Sequence, residues 1–192
     1  MADLAGLPAT ACGEALRRMI EARRRRGRRL RIAAFAALAG VPCAATVAVR
    51  PSPLLLWNVS ASTPRGLYRV FPGGGLHRGD SVIASLAEPH RTLAAGRGYV
   101  PLGVPLVKRV AAIPGDRICA RGAAISIDGK VAAVRKSLDA RGRKLPAWSG
   151  CADLHAGEYL LIGESQWSFD GRYIGLTRTS EIIGRAVLLW RA

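Results

Sequence analysis

A chain of 192 residues has room for one domain and an appendage but not comfortably for two. With 49% hydrophobic residues it can bury a sizeable core. Its 29 lysines and arginines against 13 acidic residues, a net +16, narrow the partners to nucleic acid or an anionic membrane surface, and the placement of the charge decides between them.

Nine arginines fall within residues 1–31 against the acids Asp3, Glu14 and Glu21, a net +6 (9 − 3). Part of this segment, Gly13 to Arg26, is compatible with a short helix. Ile32 to Val49 then carries no charged residue. At ~1.5 Å per residue its 18 positions make roughly 27 Å of helix, just enough for a hydrocarbon core. Gly40 and Pro42 make the span a marginal one. An arginine block directly upstream keeps an N-terminus cytoplasmic. The expected organisation is therefore a basic cytoplasmic segment (1–31), an uncleaved transmembrane signal-anchor in the inner membrane (32–49) and a periplasmic domain (50–192). Two rival readings are a buried core helix and a cleavable signal peptide ending near Ala44-Ala45-Thr46-Val47. The length of the uncharged run and of the segment before it favours the anchor.

From Pro51 onward the pattern changes to short apolar runs bounded by turn residues. The runs are 66–71, 81–84, 106–110, 124–127, 159–162 and 186–190. The punctuation is Pro72-Gly73-Gly74-Gly75, Arg78-Gly79-Asp80, Pro114-Gly115-Asp116, Asp128-Gly129 and Ala156-Gly157. Asp128-Gly129 carries the signature of a tight hairpin. Pro89 to Leu93 and Thr179 to Ile183 can each make a turn or two of helix. The fold class expected is mostly β, an antiparallel domain behind one N-terminal helix. Residues 132–156, rich in Arg, Lys and Gly, read as a loop excursion. Cys119 and Cys151 lie in the exported part, where an oxidising compartment permits a disulfide; two free buried thiols are the alternative. Cys12 and Cys43 lie in the tail and the span.

Three clusters carry candidate chemistry. The first, Asn58 to Tyr68, holds Ser60 and Ser62 before Pro64, and on composition alone is a polar loop entering a strand. The second is Val107-Lys108-Arg109-Val110 to Pro114-Gly115-Asp116. Alternation places Lys108 with Leu106 and Val110, and Arg109 with Val107 and Ala111, so one cation lies among apolar neighbours if a face is buried. A lysine so placed loses hydration, and its pKa falls. A drop of ~3 from about 10.4, costing near ~4 kcal/mol, would make it a base at neutral pH. The third is Gly163 to Gly175, in which Ser168, Asp170 and Arg172 alternate and would share one side of an extended segment. Taken singly, each cluster also has a structural reading: a solvated turn, an edge-strand cation pair, an Asp–Arg pair.

In this order, behind an anchor, the three clusters resemble the signal-peptidase-type serine proteases, which use a Ser/Lys dyad. The likeness runs from about residue 30 to 192 and includes Ile183-Gly184-Arg185-Ala186 and Trp190, similar to the family's last strand. The first box reads Ser-x-Ser-x-Pro-x-Gly-Leu-Tyr rather than Ser-Met-x-Pro. That form, with paired Cys119 and Cys151 and the Trp148-Ser149-Gly150-Cys151 stretch, is similar to the TraF-type conjugative transfer peptidases, which mature a pilin. The resemblance implies a signal-peptidase-like β domain with Ser62 as nucleophile and Lys108 as general base. It further implies Ser60 as a second oxyanion donor beside the Ser62 N–H, Ser168 orienting the lysine, and Asp170 and Arg172 holding that box. His77, His90 and His155 sit in turn-like contexts, which makes a Ser-His-Asp triad less economical.

The resemblance further implies a precursor protein as partner, a pilin or a secreted preprotein, presenting small side chains in an extended strand. Membrane lipid is a partner through the anchor and the Leu54-Leu55-Leu56-Trp57 patch. No cofactor, no metal and no nucleic acid is expected. Competing readings are a general leader peptidase, a basic accessory protein of DNA transfer and a self-cleaving Ser/Lys repressor; no helix-turn-helix signal supports the last.

Overall fold

The structure, a computed structural model, describes residues 9–49 and 53–192. Two compact units divide the chain, residues 1–51 and 52–192. The described part of the first is one helix, α1 (Ala9–Val49). It is longer than the short helix expected over Gly13 to Arg26, because no proline or turn signal separates the arginine block from the alanine-rich run that follows. Among the described residues no helix is long and apolar enough to cross a membrane. The expected span at 32–49 lies partly outside them, side chains being described only as far as Val41 and again at Ala44. The side chains of Cys12 and Cys43 also lie outside.

The second unit is built of antiparallel strands, as the spacing of apolar runs and turns predicts. In chain order its described elements are β1 (Leu55–Asn58), β2 (Gly66–Phe71), β3 (Ser81–Ala84), α2 (His90–Gly96), β4 (Leu106–Ala112), β5 (Arg117–Arg121), β6 (Ala124–Ile127), β7 (Lys130–Val134), β8 (Gly150–Asp153), β9 (Glu158–Ile162), α3 (Gly171–Ile174), β10 (Thr177–Arg178), a 3₁₀ turn at Thr179–Glu181, and β11 (Ile182–Arg191). A larger sheet runs in the order β1-β2-β11-β3-β4-β9-β10, and a smaller one in the order β7-β6-β5-β8. The run Leu54 to Trp57, expected as an interfacial patch, contributes strand β1, paired with β2 from Leu55↔Arg69 to Asn58↔Gly66. The stretch 132–156 is not one loop: β7 continues to Val134 and β8 occupies Gly150–Asp153, leaving 135–149 as the excursion. Sequence alone misses β8 because its four residues carry little apolar character and pair only through β5.

Both faces of the larger sheet carry a buried cluster, with one face left open at β2 and β11, where Arg69, Phe71, Arg185 and Val187 are exposed. Tyr68, Val70, Ile83, Val107 and Ala186 form one cluster, and Val82, Ala84, Val110 and Leu161 another. A third cluster, centred on Ile118, Ile125 and Leu160, joins the smaller sheet to β9. Close approach of β2 to β11 requires glycine at 66, since a Cβ there would run into the Trp190 carbonyl. Two turn signatures meet in space. Arg78 donates to Asp116 Oδ1 at 2.7 Å, while Asp116 Oδ2 accepts from the Ile113 N–H at 2.7 Å, so the Pro-Gly-Asp turn after β4 is tied to the turn before β3.

Candidate active site

The loop between β1 and β2 carries Ser60 and Ser62, and its shape is set by Asn58. This side chain is buried, and its amide nitrogen lies 3.0–3.2 Å from the Ser60, Thr63 and Pro64 carbonyls and the Thr63 hydroxyl. Its Oδ1 accepts from the Ser60 N–H at 3.0 Å and from the Ser60 hydroxyl at 2.9 Å. Tyr68 closes the loop from below, donating to the Pro64 carbonyl at 2.7 Å. Ser60 and Ser62 thus face each other, Oγ to Oγ, at 2.9 Å. Sequence reading passes over Asn58 and Tyr68 because each looks like ordinary loop or strand composition; the available signal was an Asn two residues before a Ser, a spacing that favours side-chain capture of the turn.

Lys108 comes from β4 opposite Val82 of β3. Alternation left open which of Lys108 and Arg109 would be buried. On the face packed by Val82 and Val110, Lys108 is 4% exposed, whereas Arg109 on the opposite face reaches the rim and pairs with Glu164 at 2.6 Å. The Lys108 ammonium donates to the Ser168 hydroxyl at 2.7 Å. Burial lowers its pKa from the ordinary 10.5 to about 8; Asp170 opposes the fall and Arg172 adds to it. Since those two form an ion pair at 2.7 Å, their influences on Lys108 offset and desolvation governs the shift.

The third cluster departs from the extended segment expected of it. Ser168 and Asp170 precede a single helical turn, α3, and Asp170 caps it, accepting from the Arg172 N–H at 3.1 Å. The alternation is broken because an Asp followed by Gly171 offers an N-cap that outcompetes extension. Asp170 also accepts from the Gly163 N–H at 2.8 Å, and Arg172 donates to the Gly163 and Ser165 carbonyls at 3.1 and 2.7 Å. The pair therefore folds 163–172 into a closed loop. Gly163 lies under Ser168: a Cβ at 163 would collide with the Ser168 side chain and press on the Ser62 carbonyl. The Ser62 carbonyl in turn accepts from the Glu164 N–H at 2.7 Å, which ties the serine loop to this box.

Ser60, Ser62, Lys108 and Ser168 line one cavity of about 510 Å³, while Asp170 and Arg172 support it from behind. A hydroxyl half-exposed to this cavity, a desolvated amine in it, and a second hydroxyl fixing that amine are the elements of nucleophile activation without histidine. Cys119 and Cys151 stand directly opposite across β5 and β8 and form a disulfide.

Residues 27–191 match the family described as signal peptidase, peptidase S26. The plasmid transfer protein TraF of Escherichia coli is 32% identical over 173 residues, spanning 85% of this chain and 92% of that protein. Among solved structures, a signal peptidase I from Enterococcus faecalis is 17% identical, covers 58% of this chain and 97% of that one, and superposes with a TM-score of 0.34.

Proposed function

The chain belongs to the signal peptidase family, peptidase S26, and from that membership we propose a serine endopeptidase, anchored in the inner membrane through residues 32–49, that processes an exported precursor protein, a pilin of plasmid transfer. The observation that carries the chemistry is Lys108: buried, with a pKa near 8, and in one cavity with Ser62. Neutral Lys108 takes the Ser62 proton as Oγ attacks the scissile carbonyl carbon. The developing oxyanion takes hydrogen bonds from the Ser62 N–H and the Ser60 hydroxyl. In the resting state that hydroxyl donates to Asn58, so it serves the oxyanion by turning its proton. Lys108 then returns the proton to the leaving amine, and a water activated by the same lysine hydrolyses the acyl-enzyme. Ser168 aims the amine throughout.

The name of the Escherichia coli relative, a plasmid transfer protein, supports a conjugative substrate over a general secreted preprotein. The arginine block before Ile32 supports an N-terminus in the cytoplasm and residues 50–192 in the periplasm. Co-expression with pilin precursors tests the reading. Wild type converts the precursor, Ser62→Ala leaves it uncut, and Lys108→Ala lowers the rate by at least about 10³-fold. Processing that persists undiminished in Ser62→Ala would overturn the mechanism. Cleavage of secreted preproteins but no pilin would replace the substrate.

A further inference from the structure

The cavity extends well past the Ser62–Lys108 end, to a wall that the excursion 135–149 helps to build. Tyr99, Phe169 and Tyr173 line it as a continuous aromatic row, with ring centroids 5.2 Å apart for the first pair and 5.9 Å for the second. Phe169 lies between Ser168, which holds Lys108, and Asp170, which caps α3, so the row is registered to the catalytic box. The excursion holds both ends of the row. Asp139 accepts from the Tyr99 hydroxyl at 2.6 Å, and the Lys136 N–H donates to the Tyr173 hydroxyl at 3.1 Å. Trp148 donates to the Gly171 carbonyl at 2.9 Å, and the Lys136 ammonium sits 3.1 Å over Trp167, another ring on the cavity.

The carboxylate of this wall is already engaged. Asp139 Oδ1 accepts from the Arg141 and Arg143 N–H groups, and Oδ2 from the Tyr99 hydroxyl and the Arg143 guanidinium. The Tyr99 hydroxyl first among these, they hold its carboxyl well below the usual carboxylate range. Among the described residues no buried side-chain nitrogen or oxygen is left without a partner. With the Asp139 carboxylate engaged by the protein itself, this wall offers a substrate chiefly aromatic faces, which suit an apolar ring or branched chain. A cavity of about 510 Å³ is also far roomier than small side chains beside a scissile bond require.

We propose that the excursion-held row Tyr99–Phe169–Tyr173 is a subsite for one large apolar or aromatic substrate side chain near the scissile bond, in addition to the small residues at the Ser62–Lys108 end. It rests on the peptidase reading and adds a second determinant of substrate choice. Asp139 is a positioning residue: it fixes the Tyr99 ring and does not touch the substrate.

The test uses the full chain and internally quenched peptides with a small residue before the cleaved bond, in which each neighbouring position is in turn Phe or Ala. At one position Phe is favoured over Ala by at least about tenfold in kcat/KM, chiefly through KM. Phe169→Ala and Tyr99→Ala bring that ratio near one, and Asp139→Asn lowers it part of the way while the acid limb of the pH profile stays near 8. The ratio is the readout, so a loss of activity common to both peptides cancels, and a thermal melt identifies any variant that fails to fold. Equal cleavage of Phe and Ala peptides at every position, or a ratio unmoved in Phe169→Ala, overturns the subsite and leaves the peptidase standing. If wild type cleaves no peptide, the peptidase reading falls and the subsite beside a scissile bond with it. Binding of the same peptides to the Ser62→Ala chain then shows whether the row still takes an apolar side chain, tighter binding of one Phe peptide meaning that it does and equal binding that it does not.

Discussion

Lys108 carries a stability cost as well as the chemical use proposed for it. Its pKa in the folded chain, about 8, lies below the ordinary 10.5. Below pH 8 the amine is protonated in both folded and unfolded chains, and folding bears the full desolvation penalty, up to about 3 kcal/mol. As pH rises from about 8 to 10.5 the folded chain releases the proton first, the penalty fades and stability increases. Two outcomes follow from the same shift. At pH 7 about one lysine in ten is neutral, so kcat/KM should climb about fivefold by pH 8 and roughly tenfold in all, levelling off above about pH 9, measured with a peptide substrate across pH 6–9.5. Lys108→Met should be inactive yet melt above wild type at pH 7, less about 1 kcal/mol for the orphaned Ser168 hydroxyl, with the gap closing toward pH 10.5. Gly163 is the other single position with leverage, because a methyl there displaces Ser168 from the amine. Gly163→Ala should lower kcat at least about tenfold and lower the apparent pKa of the acid limb, as the ammonium loses the hydroxyl that accepts from it.

Among the elements, the loop from Gly163 to α3 is one whose shape departs from its sequence pattern. Alternation of Ser168, Asp170 and Arg172 predicts a shared face, but a buried ion pair and a helix cap organise them. Arg172 is 4% and Asp170 1% exposed, so removing one partner leaves an uncompensated charge in the core. Arg172→Met should cost about 3–5 kcal/mol, read as a drop in the urea midpoint, and should abolish activity in whatever folds. The strands themselves were largely legible: 66–71, 81–84 and 124–127 coincide with β2, β3 and β6, because apolar runs cut by Gly, Pro and Asp leave few other options. β5, β8 and β10 were not, since short strands with mixed composition take their identity from the strand they pair with.

In the molecule as a whole, the smaller sheet and its excursion form a separately stapled part of the second unit. The Cys119–Cys151 bridge closes a loop of sequence separation 32 between β5 and β8, at the point where the excursion returns to the sheet. On the chain-entropy account such a loop contributes roughly 3–4 kcal/mol. Replacing both cysteines by serine should lower the stability of the 52–192 unit by that order, measured by urea unfolding with and without reductant. The order of basic segment, uncharged run, serine box, lysine strand and Asp-Arg box was readable from one chain, as were the β class and the turn positions. Those depend on composition and on period, which are local. Which cation of the Lys108-Arg109 pair is buried, how Asn58 folds the serine loop, and how 97–105 and 135–149 come to wall one cavity were settled only by packing. Alternation states which residues share a face; it takes a partner strand or a distant loop to decide which face is covered.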